Sequence, residues 1–269
     1  MIMPCVNDIY DFLVSLAPEE MKTETDNVGF LVGRGDSAVT KILVSLDITN
    51  DVITEALETG AELIVSHHPL FKSVSRITDA DITGGRIIRL ISGGISAICM
   101  HTNLDAARGG VNDALAAAAG IICKDGEAEF LYDEGPLPSG ESFSYGRAGY
   151  LQEPCPMPEY LDRLKKALNT NGLRYYDSGR DVHKIAVIGG TGGTDFHKVL
   201  KKDCDTFITA DIKYHLFLEA KELGINLIDG DHFCTENVVT QVLAEKLCSA
   251  FPETFTAVSK SHKQTVRFH

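Results

Sequence analysis

The chain is 269 residues long, is 44% hydrophobic and carries a formal net charge of −13 at pH 7. That length and apolar content give one large α/β domain or two smaller ones a buried core, while the acidic balance argues against a nucleic-acid backbone or an anionic membrane as the main partner, since both demand clustered Lys and Arg. Bound cations would invert the local electrostatics and admit an anionic small molecule.

The N-terminus, MIMPCVNDIYDFL, is acidic where a signal peptide is basic, and no apolar run reaches membrane-spanning length, so a cytoplasmic protein without a membrane partner is expected. A strand is expected at 41–47 (KILVSLD), a helix at 49–58, a strand at 62–66 (ELIVS), a helix at 85–92 and a strand at 95–100. Residues 133–160, dense in Gly, Pro and Ser, mark turns and a change of substructure. The order then repeats: strand 183–189 (HKIAVIG), helix 195–202, strand 206–210 (TFITA), helix 216–223 and strand 225–228. The alternation predicts an α/β fold with mixed, largely parallel sheets flanked by helices. GAELIVSHHP aligns with DCDTFITADIKYH, and GISAICMHTNLD with GINLIDGDHFCTE, which reads as an internal duplication giving two α/β domains. Because candidate metal ligands come from both ends of the chain, the division expected is 1–125 with 230–269, and 126–229.

The chemistry gathers at strand ends, where ligands of open α/β sheets collect. IVSHHPLF ends an apolar strand in His67 and His68. Adjacent side chains on a strand point to opposite faces, so either two ions lie side by side or the strand bends. A second strand ends in His101, with Asp105 four residues on, and a third in Asp231 and His232, with Glu236 opening the final helix. Imidazoles with a few carboxylates suit Zn, Fe, Mn, Co or Ni, whereas calcium takes more oxygens. Seven cysteines without a C-x-x-C pair suggest reduced core thiols, and Cys234 inside the last motif is read as packing. GGTGGT at 189–194 lacks the Lys of a phosphate loop and reads as a tight turn or a backbone anion site. DADITG at 79–84 begins like a calcium loop, but Leu90 stands where the closing Glu belongs.

DNVGFLVG at 26–33, SHHPLF at 66–71, HTNLDAARGGVND at 101–113, ITADIKYH at 208–215 and IDGDHFCTE at 228–236 together make the chain resemble the Nif-three-like family, the GTP cyclohydrolase I type 2 homologues. The resemblance implies a two-domain α/β protomer, two divalent ions per chain and a homo-hexameric ring whose sites face an internal cavity. It places the ligands at His67, His68, Asp105, His232 and Glu236, with Glu236 bridging and His101 close by. Thr25 stands where many relatives have Trp, and the middle domain of longer members is absent; neither departure touches a ligand.

Two functions follow as expectations. The first is a metal-dependent hydrolase of a small nucleotide-like, phosphate-ester or cyclic-amide substrate, with His101, Asp211 and His215 supplying catalytic groups. The second is a non-enzymatic metal-binding ring acting as chaperone, sensor or regulatory partner. In both, the two halves are expected to face each other about a pseudo-two-fold axis with the metals where their strand ends converge, Asp211 and His215 lying just outside the ligand set.

Overall fold

The computed structural model describes residues 3–122, 128–137, 139–140 and 142–269. In chain order the elements are α1 (Val6–Leu16), β1 (Gly29–Val32), β2 (Lys41–Ser45), α2 (Asn50–Thr59), β3 (Leu63–Ser66), α3 (Ile82–Ser92), β4 (Ser96–Cys99), α4 (Thr102–Ala106) and α5 (Val111–Ala118). They continue with β5 (Glu129–Phe130), β6 (Arg147–Cys155), α6 (Met157–Ala167), β7 (Arg174–Tyr176), β8 (Val182–Val187), α7 (Phe196–Lys201), β9 (Thr206–Thr209), α8 (Tyr214–Leu223), β10 (Asn226–Asp229), α9 (His232–Ala250) and β11 (Phe255–Val258).

Two compact units result, Met1–Ala107 with Thr240–Lys263, and Arg108–Val239 with Gln264–His269. The first holds a five-stranded sheet in the order β1-β4-β3-β2-β11. Strands β3 (LIVS) and β4 (SAIC) are buried along their whole length, as parallel strands covered on both faces must be. Leu43, Ile53, Ile64, Ile87 and Leu90 form the core between sheet and helices. Helix α2 starts where the Thr49 side chain accepts the Val52 N–H and stops at Gly60, whose φ of 70° ends the helix in the left-handed conformation. Helix α3 starts three residues before the expected position because Asp81 caps it, accepting the Gly84 N–H at 2.8 Å. The register pairs Ser45 with Ser66 and Ser66 with Cys99, so β2, β3 and β4 end level on one edge.

The second unit holds a six-stranded sheet, β5-β6-β8-β9-β10-β7, in which β8, β9 and β10 are parallel and β7 lies antiparallel to β10. Its plan repeats the first: a helix, an antiparallel edge strand, then three parallel strands with helices between them (α1-β1-β2-α2-β3-α3-β4 against α6-β7-β8-α7-β9-α8-β10). Its limits differ from the division expected at 125/126 and 229/230. Leu115 and Ala116 of α5 pack with Leu151, Tyr160 and Ile185 of this unit, so the helix after Ala107 belongs here. The segment 133–160 lies inside this unit and contains β6, antiparallel to β8. Pro154 is tolerated there because the register slips between Tyr150 and Cys155. No helix among the described residues is long and apolar enough to cross a membrane.

Candidate metal centre

In the first unit the level ends of β2, β3 and β4 bring Asp47, His67, His68 and His101 to one edge. Strand β3 stops at Ser66, and the backbone N–H groups of both His67 and His68 turn onto the Leu46 carbonyl. This bend resolves the opposite-face problem, for the two rings lie 5.0 Å apart by centroid and 5.1 and 5.5 Å from the His101 ring. Nitrogens of all three imidazoles come within 4.8 Å of one another. Asp105, on the short helix α4 that follows His101, sets Oδ1 3.7 Å from His67 Nε2.

Each of these rings is anchored through Nδ1. His67 Nδ1 donates to the Met100 carbonyl at 2.8 Å, His68 Nδ1 to Asp47 Oδ1 at 2.8 Å, and His101 Nδ1 to Asp26 Oδ1 at 2.8 Å. A carbonyl or carboxylate oxygen only accepts, so the Nδ1–H tautomer is fixed and Nε2 is the ligating nitrogen each ring offers. Burial alone would push Asp47 up, but hydrogen bonds from His262 and His68 outweigh it and hold the carboxylate well below the usual range. Asp26 is likewise held low, burial being overcome by hydrogen bonds from His101 and Thr102.

The second unit builds its donors on β9 and β10. His232 opens α9 and places Nε2 3.1 Å from Glu236 Oε2, one turn on, while its Nδ1 donates to Asp211 Oδ2 at 2.7 Å. Thr191 donates to the same Asp211 oxygen at 2.8 Å. These hydrogen bonds outweigh burial and keep the Asp211 carboxyl below its ordinary value. The hydrogen bond to Glu236 raises His232 to about 9 against the opposing pull of burial, with Asp211 adding to the rise. Asp211 and Asp231 hold left-handed φ values of 52° and 71°, unusual for residues with a side chain and located at the ends of β9 and β10. Gly190, with φ of 60°, sits so close that a Cβ there would meet Glu236 Oε1 at 2.1 Å and His232 Nε2 at 3.2 Å.

The Duf34/NIF3 (NGG1p interacting factor 3) family matches residues 4–265. The chain belongs to the DUF34/NIF3 family. It is 37% identical over 244 residues to the "GTP cyclohydrolase 1 type 2 homolog" of Clostridium perfringens, covering 90% of each chain. A DUF34/NIF3 fold also appears in a solved Bacillus cereus protein related to NIF3, at TM-score 0.91 and 23% identity over the full length of both chains. A hypothetical protein of Staphylococcus aureus superposes with TM-score 0.91 at 27% identity, again over both whole chains.

In this DUF34/NIF3 chain the structure gathers His67, His68, His101 and Asp105 in one unit, and His232, Glu236 and Asp211 in the other. Anchored imidazoles with neighbouring carboxylates fit a divalent ion of borderline softness. His215 is exposed in the first turn of α8, apart from these contacts. The glycine turn is engaged by the protein itself: the N–H groups of Gly189, Gly190 and Gly192 donate to Asn112, Thr235 and Thr209. Cys234 packs in the core cluster, its thiol pushed up to about 12 by burial. Cys5, Cys99, Cys155, Cys204 and Cys248 are free thiols as well, and Cys123 lies outside the described residues. Sequence reasoning missed the anchors Asp26, Asp47 and His262. Asp26 sits in the DNVGFLVG motif, and its place there was the only signal for it.

Proposed function

We propose that this protein is a cytoplasmic, dinuclear metal-dependent hydrolase of a small nucleotide-like, phosphate-ester or cyclic-amide substrate, its ions held by His67, His68, Asp105, His232 and Glu236. The observation that carries this reading is the common anchoring of the histidines. His67, His68, His101 and His232 each commit Nδ1 to a fixed oxygen acceptor, and His67 and His232 turn Nε2 toward a carboxylate. Core histidines satisfied by packing have no reason to share that tautomer, whereas metal ligands do. Bound divalent ions would supply Lewis-acid activation of water and of a substrate oxygen. Asp211 orients His232, and His101, braced by Asp26, is positioned to exchange a proton with substrate. The name of the Clostridium relative agrees with a nucleotide-like substrate, and the family resemblance with a hexameric ring.

Metal analysis of the purified protein tests the reading. Two transition-metal ions per chain are expected, with Asp105→Ala or Glu236→Ala losing most of them, because each change removes a ligand and the charge that offsets the ions. Occupancy should fall on acidification toward pH ~5, since histidine ligates only when neutral. Full metal retention in either variant would refute the ligand set. With the metals defined, turnover of a nucleotide and phosphoester panel separates the hydrolase from a non-catalytic metal-binding assembly, and light scattering tests the hexamer.

A further inference from the structure

Residues 259–263, directly after β11, belong to the first unit and are held there closely. The Ser259 N–H donates to the Val44 carbonyl at 2.8 Å, continuing the pairing of β11 with β2. Glu55 of α2 then grips the next residues, accepting from the Ser259 hydroxyl at 2.6 Å, the Lys260 N–H at 2.9 Å and the Ser261 N–H at 3.0 Å. Burial pushes Glu55 up, but these hydrogen bonds prevail and bring it to about 2, so the grip is ionised through the physiological range.

The grip delivers His262 to Asp47. His262 Nε2 donates to Asp47 Oδ2 at 2.7 Å, while the other oxygen, Oδ1, accepts from His68 Nδ1 at 2.8 Å. One carboxylate thus joins two imidazoles, one at the strand-end cluster and one from the far end of the chain. The parallel anchor of His101 is braced locally: Asp26 accepts from both the N–H and the hydroxyl of Thr102, the next residue after that histidine. Asp47 takes this second hydrogen bond from His262, whose side chain is only 12% exposed.

We propose that His262 is a positioning residue of the metal centre: by holding Asp47 it fixes the orientation and donor strength of His68, making residues 259–262 a structural part of the site. The inference rests on the reading of His68 as a ligand. A carboxylate fixed on both oxygens cannot rotate away from the imidazole it orients, and such outer partners change metal affinity by about 10–100-fold when removed.

The test uses the full chain, stripped and reloaded with Co(II) or Zn(II), with affinity read by chelator competition, the Co(II) absorption spectrum recorded, and thermal stability measured alongside. His262→Ala is expected to weaken binding about tenfold and to alter the Co(II) spectrum. His262→Gln, which retains an N–H able to reach Asp47, should restore most of both. Wild-type affinity and spectrum in His262→Ala would overturn the proposal, as would equal losses in both variants that track a lowered melting temperature. A His68→Ala protein with wild-type affinity would instead break the ligand reading, and this inference with it.

Discussion

The two units share one strand plan and have reached different chemistry at the strand ends. Where β2 is followed by Asp47, β8 is followed by Gly189 and Gly190; where β3 is followed by His67 and His68, β9 is followed by Asp211. The ends of β4 and β10 alone keep the same pair, a histidine with an acid four residues on: His101 with Asp105, and His232 with Glu236. Even there the orienting acid comes from different places. His101 leans on Asp26, which precedes β1, and His232 on Asp211, which follows β9. The scaffold has been copied, whereas the need for an acceptor behind each histidine has been met separately in each copy. That independence ties the Nδ1 acceptor to what each histidine must do, since mere inheritance would have kept it in the equivalent position.

The largest contrast between the units lies in a buried charge. Arg147 of β6 is fully buried, forks onto Asp113 of α5 at 2.8 and 2.9 Å and lies over the Phe130 ring. Among the described residues no Lys or Arg of the first unit is buried. Asp113→Ala should therefore destabilise the protein by about 3–5 kcal/mol, the cost of leaving a buried guanidinium without its carboxylate. Denaturant unfolding measures this, and a loss within about 1 kcal/mol, the scale of an ordinary surface pair, would show that solvent or other acceptors replace Asp113.

A matched pair of glycines sharpens the comparison at the donors. Gly60 and Gly190 both hold left-handed φ, at 70° and 60°, but a Cβ on Gly60 meets nothing within 4 Å, while one on Gly190 meets Glu236 Oε1 at 2.1 Å. Gly60→Ala carries only the backbone strain, about 1 kcal/mol, and should leave metal affinity unchanged. Gly190→Ala carries similar strain and must also displace the Glu236 carboxylate, so its metal affinity should fall by about tenfold or more. Equal metal affinity in the two variants would mean that Glu236 moves without consequence and is no ligand.

Much of this was legible along the chain, and the exceptions have a common cause. Runs such as KILVS, LIVS and TFIT announce strands because both their faces are covered, and strands ending in histidine announce the cluster. The antiparallel edges β1 and β7 were missed because strands of four and three residues with partly exposed side chains leave no periodicity to read. Strand β6 hid behind its glycines and Pro154. The anchors lay deeper still. Asp47 was visible only as the polar end of a strand, and its partner His262 is 215 residues away, a pairing that exists only once β11 has added itself to β2.

The smallest expected effect is a pH dependence that originates at His232 of the second unit. Its pKa is raised from 6.5 to about 9, first by the hydrogen bond to Glu236 and further by Asp211, while burial opposes the rise. A histidine whose pKa is higher in the folded state stabilises the fold fully below the unfolded value and loses that contribution as pH rises through the folded one. Chelator-stripped protein should therefore lose a little stability between pH 6.5 and about 9, and the loss should be absent from His232→Gln. With metal bound, His232 is neutral in the folded state as in the unfolded one over this interval, so its loss of stability is cancelled and the pH dependence passes into metal affinity. Coordination requires neutral imidazole, so binding must expel the proton shared with Glu236, and affinity should climb as that proton becomes easier to remove. Calorimetric titration of metal at pH ~7.5 in buffers of different ionisation enthalpy would count the protons released. Release of at least one proton in the wild type, reduced by about one in His232→Gln, is expected; equal release by both proteins would place the titrating group elsewhere.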